Sequence, residues 1–178
     1  MKDNRKEFVF VIGKSEGMNQ KEMLEGFNSL IEAQKKIKDE STYTLVFFNE
    51  ECKTPALCKS IKNMRKYTEK TYVPKGGSAF YDALGYAMTE VGEKLSETEE
   101  HERPNLVCVI AIGESDNAST VFEHCVVSDM ISVQKNIYKW DFVLYSDTSR
   151  IFDINKGGDI KNVKRMFKEI NDYMTSLR

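Results

Sequence analysis

Phe8-Val9-Phe10-Val11-Ile12 runs straight into Gly13-Lys14-Ser15-Glu16-Gly17-Met18, and a helical pattern follows at once. A short, unbroken apolar run closed by a turn is a strand covered on both faces, as in a parallel sheet. Gly13 and Gly17 are expected to let the backbone turn sharply at the strand's C-terminal end. In an open α/β sheet, ligands sit at that end. One stretch thus points both to a fold and to the place where a site would lie.

The same alternation continues along the chain. Asn19 to Lys36 puts Met23, Phe27, Leu30 and Ile31 on one helical face, with Asn19 as N-cap and Glu22 three residues on. Thr42–Phe48 is a second strand. Cys52–Leu57 contains Pro55, which confines it to a sheet edge. Ile61–Tyr67 is a short link. After the Gly76-Gly77 loop, Ser78 is expected to cap a helix that faces inward through Tyr81, Leu84, Ala87, Met88, Val91 and Leu95. Glu97–Arg103 is a charged loop. Asn105–Ile112 is a second wholly apolar strand and turns at Gly113–Asn117. Ser119 or Thr120 opens a helix to about Tyr138. Trp140–Tyr145 is a strand, Arg150–Ile154 a short edge strand, and Gly157-Gly158 a break. Ile160–Leu177 is a last amphipathic helix.

Strands alternating with helices define an α/β fold: a doubly wound, mostly parallel sheet with helices on both faces and an antiparallel edge strand. The expected order is 3-2-1-4-5, with room for a sixth strand. The switch point then lies between the first strand and Asn105–Ile112, where the loops Gly13–Met18, Gly76–Ser78 and Gly113–Asn117 should meet. Residues 1–178 show no repeat or linker and are taken as one domain.

Composition narrows the function. A net charge of −2 with scattered basic residues argues against a nucleic-acid or anionic-membrane surface. No run is long enough to span a membrane, and the first residues lack the apolar segment of a secretory signal, so a cytoplasmic location is expected. Cys52, Cys58, Cys108 and Cys125 form no C-x-x-C pair, and His101 and His124 are the only histidines, which is poor material for zinc. The thiols are expected to be reduced, with Cys108 a small core residue. Gly13-Lys14-Ser15 lacks the upstream glycine of a phosphate-binding loop, because that position is Phe8. Ser15 or Ser78 could act as a nucleophile only beside a histidine base, and His101 is expected in a charged loop and His124 inside a helix, some turns from the strand ends.

Three loops on one rim bear a family resemblance. The chain resembles the von Willebrand factor A domain family over nearly its whole length, and is most similar to small stand-alone bacterial members. The resemblance is carried by Phe8–Met18, by Gly76-Gly77-Ser78-Ala79-Phe80-Tyr81-Asp82-Ala83-Leu84, and by Val107–Asn117 with Ala118-Ser119. It implies a Rossmann-like fold and a metal-ion-dependent adhesion site. That site consists of an Asp-x-Ser-x-Ser loop, a threonine after a glycine, and an aspartate after the fourth strand. Its metal is commonly magnesium, completed by a partner's acidic group.

Here the first aspartate falls on Gly13 and the last on Ile112. Ser15 is kept, the second serine falls on Gly17, and the threonine becomes Ser78. Magnesium is held by carboxylates, and two neutral hydroxyls do not replace them. Ile112 puts an apolar side chain where a charged shell would stand. The expectation is therefore a non-enzymatic, metal-independent protein-interaction module with no cofactor. Its rim would be Lys14, Ser15, Lys75, Gly77, Ser78, Glu114 and Asp116, where helix N-termini favour a partner's anionic group. One alternative is a weak Mg²⁺ site rebuilt from Ser15 and Ser78 with Glu16, Glu114 or Asp116. A second is a nucleotide-binding or hydrolytic α/β protein.

Overall fold

Residues 5–147 and 151–178 are described by the computed structural model. Six strands form one sheet, in the order β3-β2-β1-β4-β5-β6. β1 (Lys6–Gly13) lies between β2 (Thr42–Phe48) and β4 (Asn105–Ile112), parallel to both. β5 (Asp141–Ser146) continues the parallel ladder. β3 (Cys52–Ser60) pairs antiparallel with β2 and forms one edge. It carries Pro55 and two register shifts.

The five residues Phe8–Ile12 are each no more than 2% exposed, so both faces of β1 are covered. Phe8, Phe10 and Ile12 pack into the layer of α1 (Gln20–Gln34) and α4 (Val163–Ser176). Val9 and Val11 pack under α2 (Phe80–Ser96) and α3 (His124–Asn136). The alternation of side chains across a strand thus divides one apolar run between two cores. Asn19 caps α1 as expected, its Oδ1 accepting from the Glu22 amide at 3.1 Å.

Three details differ from the sequence reading. The sixth strand is Lys156–Gly158, parallel to β5, and it includes Gly157-Gly158, which the sequence reads as a break. Gly157 has φ +124°, and a Cβ there would come within 1.8 Å of the Leu144 carbonyl oxygen. The glycine is what lets this short edge approach β5. Of the expected strand at 150–154, residue 150 lies outside the described residues, and 151–154 is not a strand. Third, α3 opens at His124 rather than Ser119 or Thr120. The reason is the buried Asp82, whose carboxylate accepts from the amides of Thr120 (2.9 Å), Val121 (3.0 Å) and Phe122 (2.7 Å). A distant carboxylate holds these amides, and the segment runs on as a loop. Among the described residues, no helix is long and apolar enough to cross a membrane.

Candidate functional site

The three loops do meet beyond the C-terminal ends of β1 and β4. The Glu16 amide donates to Gly76 O at 3.1 Å, and the Lys75 amide to Lys14 O at 3.0 Å. The Ser78 amide donates to Asn117 Oδ1 at 2.8 Å, and the Asn117 amide returns a bond to Ser78 O at 2.9 Å. A Cβ on Gly77 would lie 2.4 Å from that same Asn117 oxygen, so only glycine allows the loops to close so tightly.

Ser78 does not cap α2 with its side chain. Its hydroxyl faces Glu114 O at 3.5 Å. Instead, Asp116 Oδ1 accepts from the Tyr81 amide at 3.1 Å and Ser119 Oγ from the Asp82 amide at 3.0 Å. Nor do Gly13 and Gly17 supply a left-handed turn. Among glycines of the described residues, only Gly76 and Gly157 have such φ values.

The expected rim divides by exposure. Ser15 and Ser78 are each 2% exposed, Ile112 is fully covered and Gly13 is buried, whereas Gly17 is exposed, so four of the five adhesion-site positions form a closed floor. Lys75 is exposed, whereas Gly77, Glu114 and Asp116 are half-buried. Lys14 is nine-tenths buried, and with Lys75 it lines a separate cavity toward β2 and β3.

A hard divalent cation finds a poor donor set here. Asp116 is engaged by Tyr81 and Ser119. Glu16 is exposed. Glu114 Oε1 is a buried oxygen without a hydrogen-bond partner, and it is one carboxylate where octahedral magnesium calls for more. Among the described residues, no group of three or more His, Cys, Asp or Glu is placed to hold a metal ion. These residues do not fit the family's magnesium. The histidines are engaged elsewhere. His124 Nε2 lies 2.9 Å from Ile151 O with its ring stacked on Phe152, and His101 is exposed on its charged loop.

Two features escaped sequence reasoning. Lys53 and Lys70 share the cavity of Lys14 and Lys75, brought there by the β2–β3 ladder and by the turn before Tyr72. At the other end of β1, Glu7 is fully buried. It accepts from the Thr44 hydroxyl at 2.7 Å and also from Thr42. Burial pushes its carboxyl up to about 7, against the pull of the two hydroxyls and of Cys58. An acidic residue just before an apolar run carries no periodic signal that would mark it as a buried part of the strand.

No family model and no curated protein matches this sequence. Solved structures do match it in shape. Proximal thread matrix protein 1 from the mussel byssus superposes with a TM-score of 0.62 at 11% identity, over 98% of this chain and 47% of that one. A second structure of that protein, with a zinc-occupied MIDAS motif, gives 0.64 at 12% identity. A von Willebrand factor type A structure from Catenulispora acidiphila gives 0.61 at 12% identity, over 94% of this chain and 42% of that one. This chain spans less than half the length of these proteins. It has the von Willebrand factor A fold, Rossmann-like.

Proposed function

We propose that this chain is a metal-independent, non-enzymatic protein-interaction module, working in the cytoplasm through the rim beyond β1 and β4. The observation that carries the reading is Ile112. It is fully covered and lies beside Gly13, and the family resemblance would put a metal-binding aspartate at each of these two positions. A charged shell built against that side chain would be desolvated without compensation. The fold supports the interaction role, since a loop rim on a rigid sheet is a common place for recognition.

Calorimetric titration tests this. Mg²⁺ and Mn²⁺ at millimolar concentration should give no saturable heat with the natural protein, and ATP none that inorganic pyrophosphate does not compete away. Saturation by a metal would restore the rebuilt-site alternative, and ATP binding that pyrophosphate leaves in place the nucleotide-binding one. The triple variant Gly13→Asp, Gly17→Ser, Ile112→Asp returns two carboxylates and a hydroxyl. A Cβ at position 13 meets nothing closer than 3.4 Å and one at position 17 nothing within 4 Å, so neither Cβ clashes with the backbone. The variant should be less stable than the natural protein, and added metal should raise its melting temperature by mass action. A folded variant indifferent to metal would break the correspondence with the adhesion site.

A further inference from the structure

The corner where β1 and β2 end and β3 begins holds a cavity of about 270 Å³, lined by Lys14, Lys53, Lys70 and Lys75 together with Glu50 and Glu51. Each lysine is carried by a separately anchored segment. Lys14 leaves β1 with its amide bonded to Phe48 O at 2.7 Å, and the Lys75 amide bonds to Lys14 O. Lys53 stands opposite Phe47 in the antiparallel ladder. Lys70 precedes Tyr72, whose buried hydroxyl donates to Gly13 O at 2.7 Å. The cavity walls are thus fixed by backbone contacts rather than by the charges themselves.

The charges are unbalanced. Four lysines and two glutamates line the cavity, an excess of two positive charges. Glu50 is already engaged by the Gly77 amide at 3.1 Å. Among the described residues, none of the four lysines takes part in a salt bridge. Lys14 is only 9% exposed. Burial, then Lys53 and Lys75, hold its ammonium below the ordinary lysine range, with Glu51 opposing them. A buried cation facing two others is costly unless an anion joins it.

We propose that this pocket binds a phosphate-type dianion, as a phosphate monoester or the end of a pyrophosphate. Two negative charges match the excess. Lysines are point-charge donors approaching from several directions, which suits a tetrahedral oxyanion. A flat carboxylate is better met by the fork of an arginine, and the pocket has none. The volume lies below that of drug-sized pockets, so it takes the phosphoryl group rather than a whole nucleotide. This inference does not depend on the rim having a protein partner.

The test is calorimetric titration of the full chain at low salt in the presence of a chelator. The probes are inorganic phosphate, pyrophosphate, a phosphoserine peptide, and the same peptide with glutamate. Saturable binding of phosphate or pyrophosphate, weakened by added salt, is expected. Lys14→Met should weaken it at least tenfold, while Lys164→Gln on α4 should leave it unchanged. If Lys14→Met does not fold, the double variant Lys53→Gln, Lys75→Gln, at two exposed positions, carries the same expectation. Phosphopeptide binding tighter than inorganic phosphate would support a phosphorylated side chain as the source, and equal binding a free anion. The proposal is overturned if no phosphate probe saturates, if the glutamate peptide binds as tightly as the phosphoserine peptide, or if Lys14→Met behaves like Lys164→Gln. Because chelator is present, silence here leaves the metal titrations above to stand or fall alone.

Discussion

β1 buries a charge-bearing residue near each end, and the two are housed in opposite ways. Glu7 is fully buried at the wall of a cavity it shares with Thr42 and Cys58, and it is matched from within, with Thr42 and Thr44 hydroxyls on its oxygens and burial raising its carboxyl to about 7. The Thr44 hydroxyl also accepts from the Cys58 amide at 2.9 Å, and burial pushes the Cys58 thiol up to about 11. Lys14 is nearly as deep, but its ammonium meets other lysines and a cavity open to solvent. The contrast teaches how to sort buried polar residues. One whose hydrogen bonds are made from within belongs to the architecture. One left unmatched beside accessible space points outward, to something that binds.

The largest effect should come from the strand between the two ends. Phe10 is 1% exposed and meets Phe27 edge-on at 5.5 Å. Phe10→Ala should cost about 3–5 kcal/mol in denaturant melts at any pH. A loss below about 1 kcal/mol would mean that β1 is not a shared core element, and comparing its ends would lose its basis.

Next comes Glu7→Gln. In the unfolded chain this carboxyl titrates near its ordinary 4.5, and in the folded chain near 7. The folded state therefore holds the proton more tightly. Stability is full below the ordinary carboxylate range and declines as pH rises toward about 7. The variant should match the natural protein near pH 4 and exceed it at pH 8 by roughly 3 kcal/mol. If the natural protein is the more stable at pH 8, Glu7 is held as a matched anion and burial does not keep its carboxyl near 7.

The smallest effect on folding should be that of Lys14→Met. The aliphatic stem is retained and an unmatched ammonium is removed, so thermal melts at neutral pH should show a gain smaller than about 1 kcal/mol. A large loss would mean that Lys14 is matched from within, like Glu7.

Much of the sheet was legible in the sequence, because apolar runs broken by turns report strand order directly. Thr42–Phe48 and Asn105–Ile112 appear with the bounds read from sequence. What was missed depends on contacts distant along the chain. Nothing near Thr120 announces that Asp82 will take its amide, and nothing near Ser78 announces that Asp116 and Ser119 will serve the first turn of α2. β6 has two glycines among its three residues, so it carries almost no side-chain signal. Lys14 after its strand and Lys75 beside the Gly76-Gly77 loop could be placed on the rim from local pattern. Lys53 and Lys70 could not, since antiparallel register and a tyrosine anchor bring them there.

The two sheet edges bear on how this molecule can associate. Open edges present unpaired backbone groups and invite other strands to join. β3 meets that hazard with exposed Lys53 and Lys59, with Pro55, and with a ladder that slips register twice. β6 meets it by brevity, three residues long and mostly glycine. Neither side offers a long flat template, so the sheet is poorly suited to growth by strand addition, whether in a fibre or in a complex. Whatever meets this molecule is left to do so through side chains on its loops and helices.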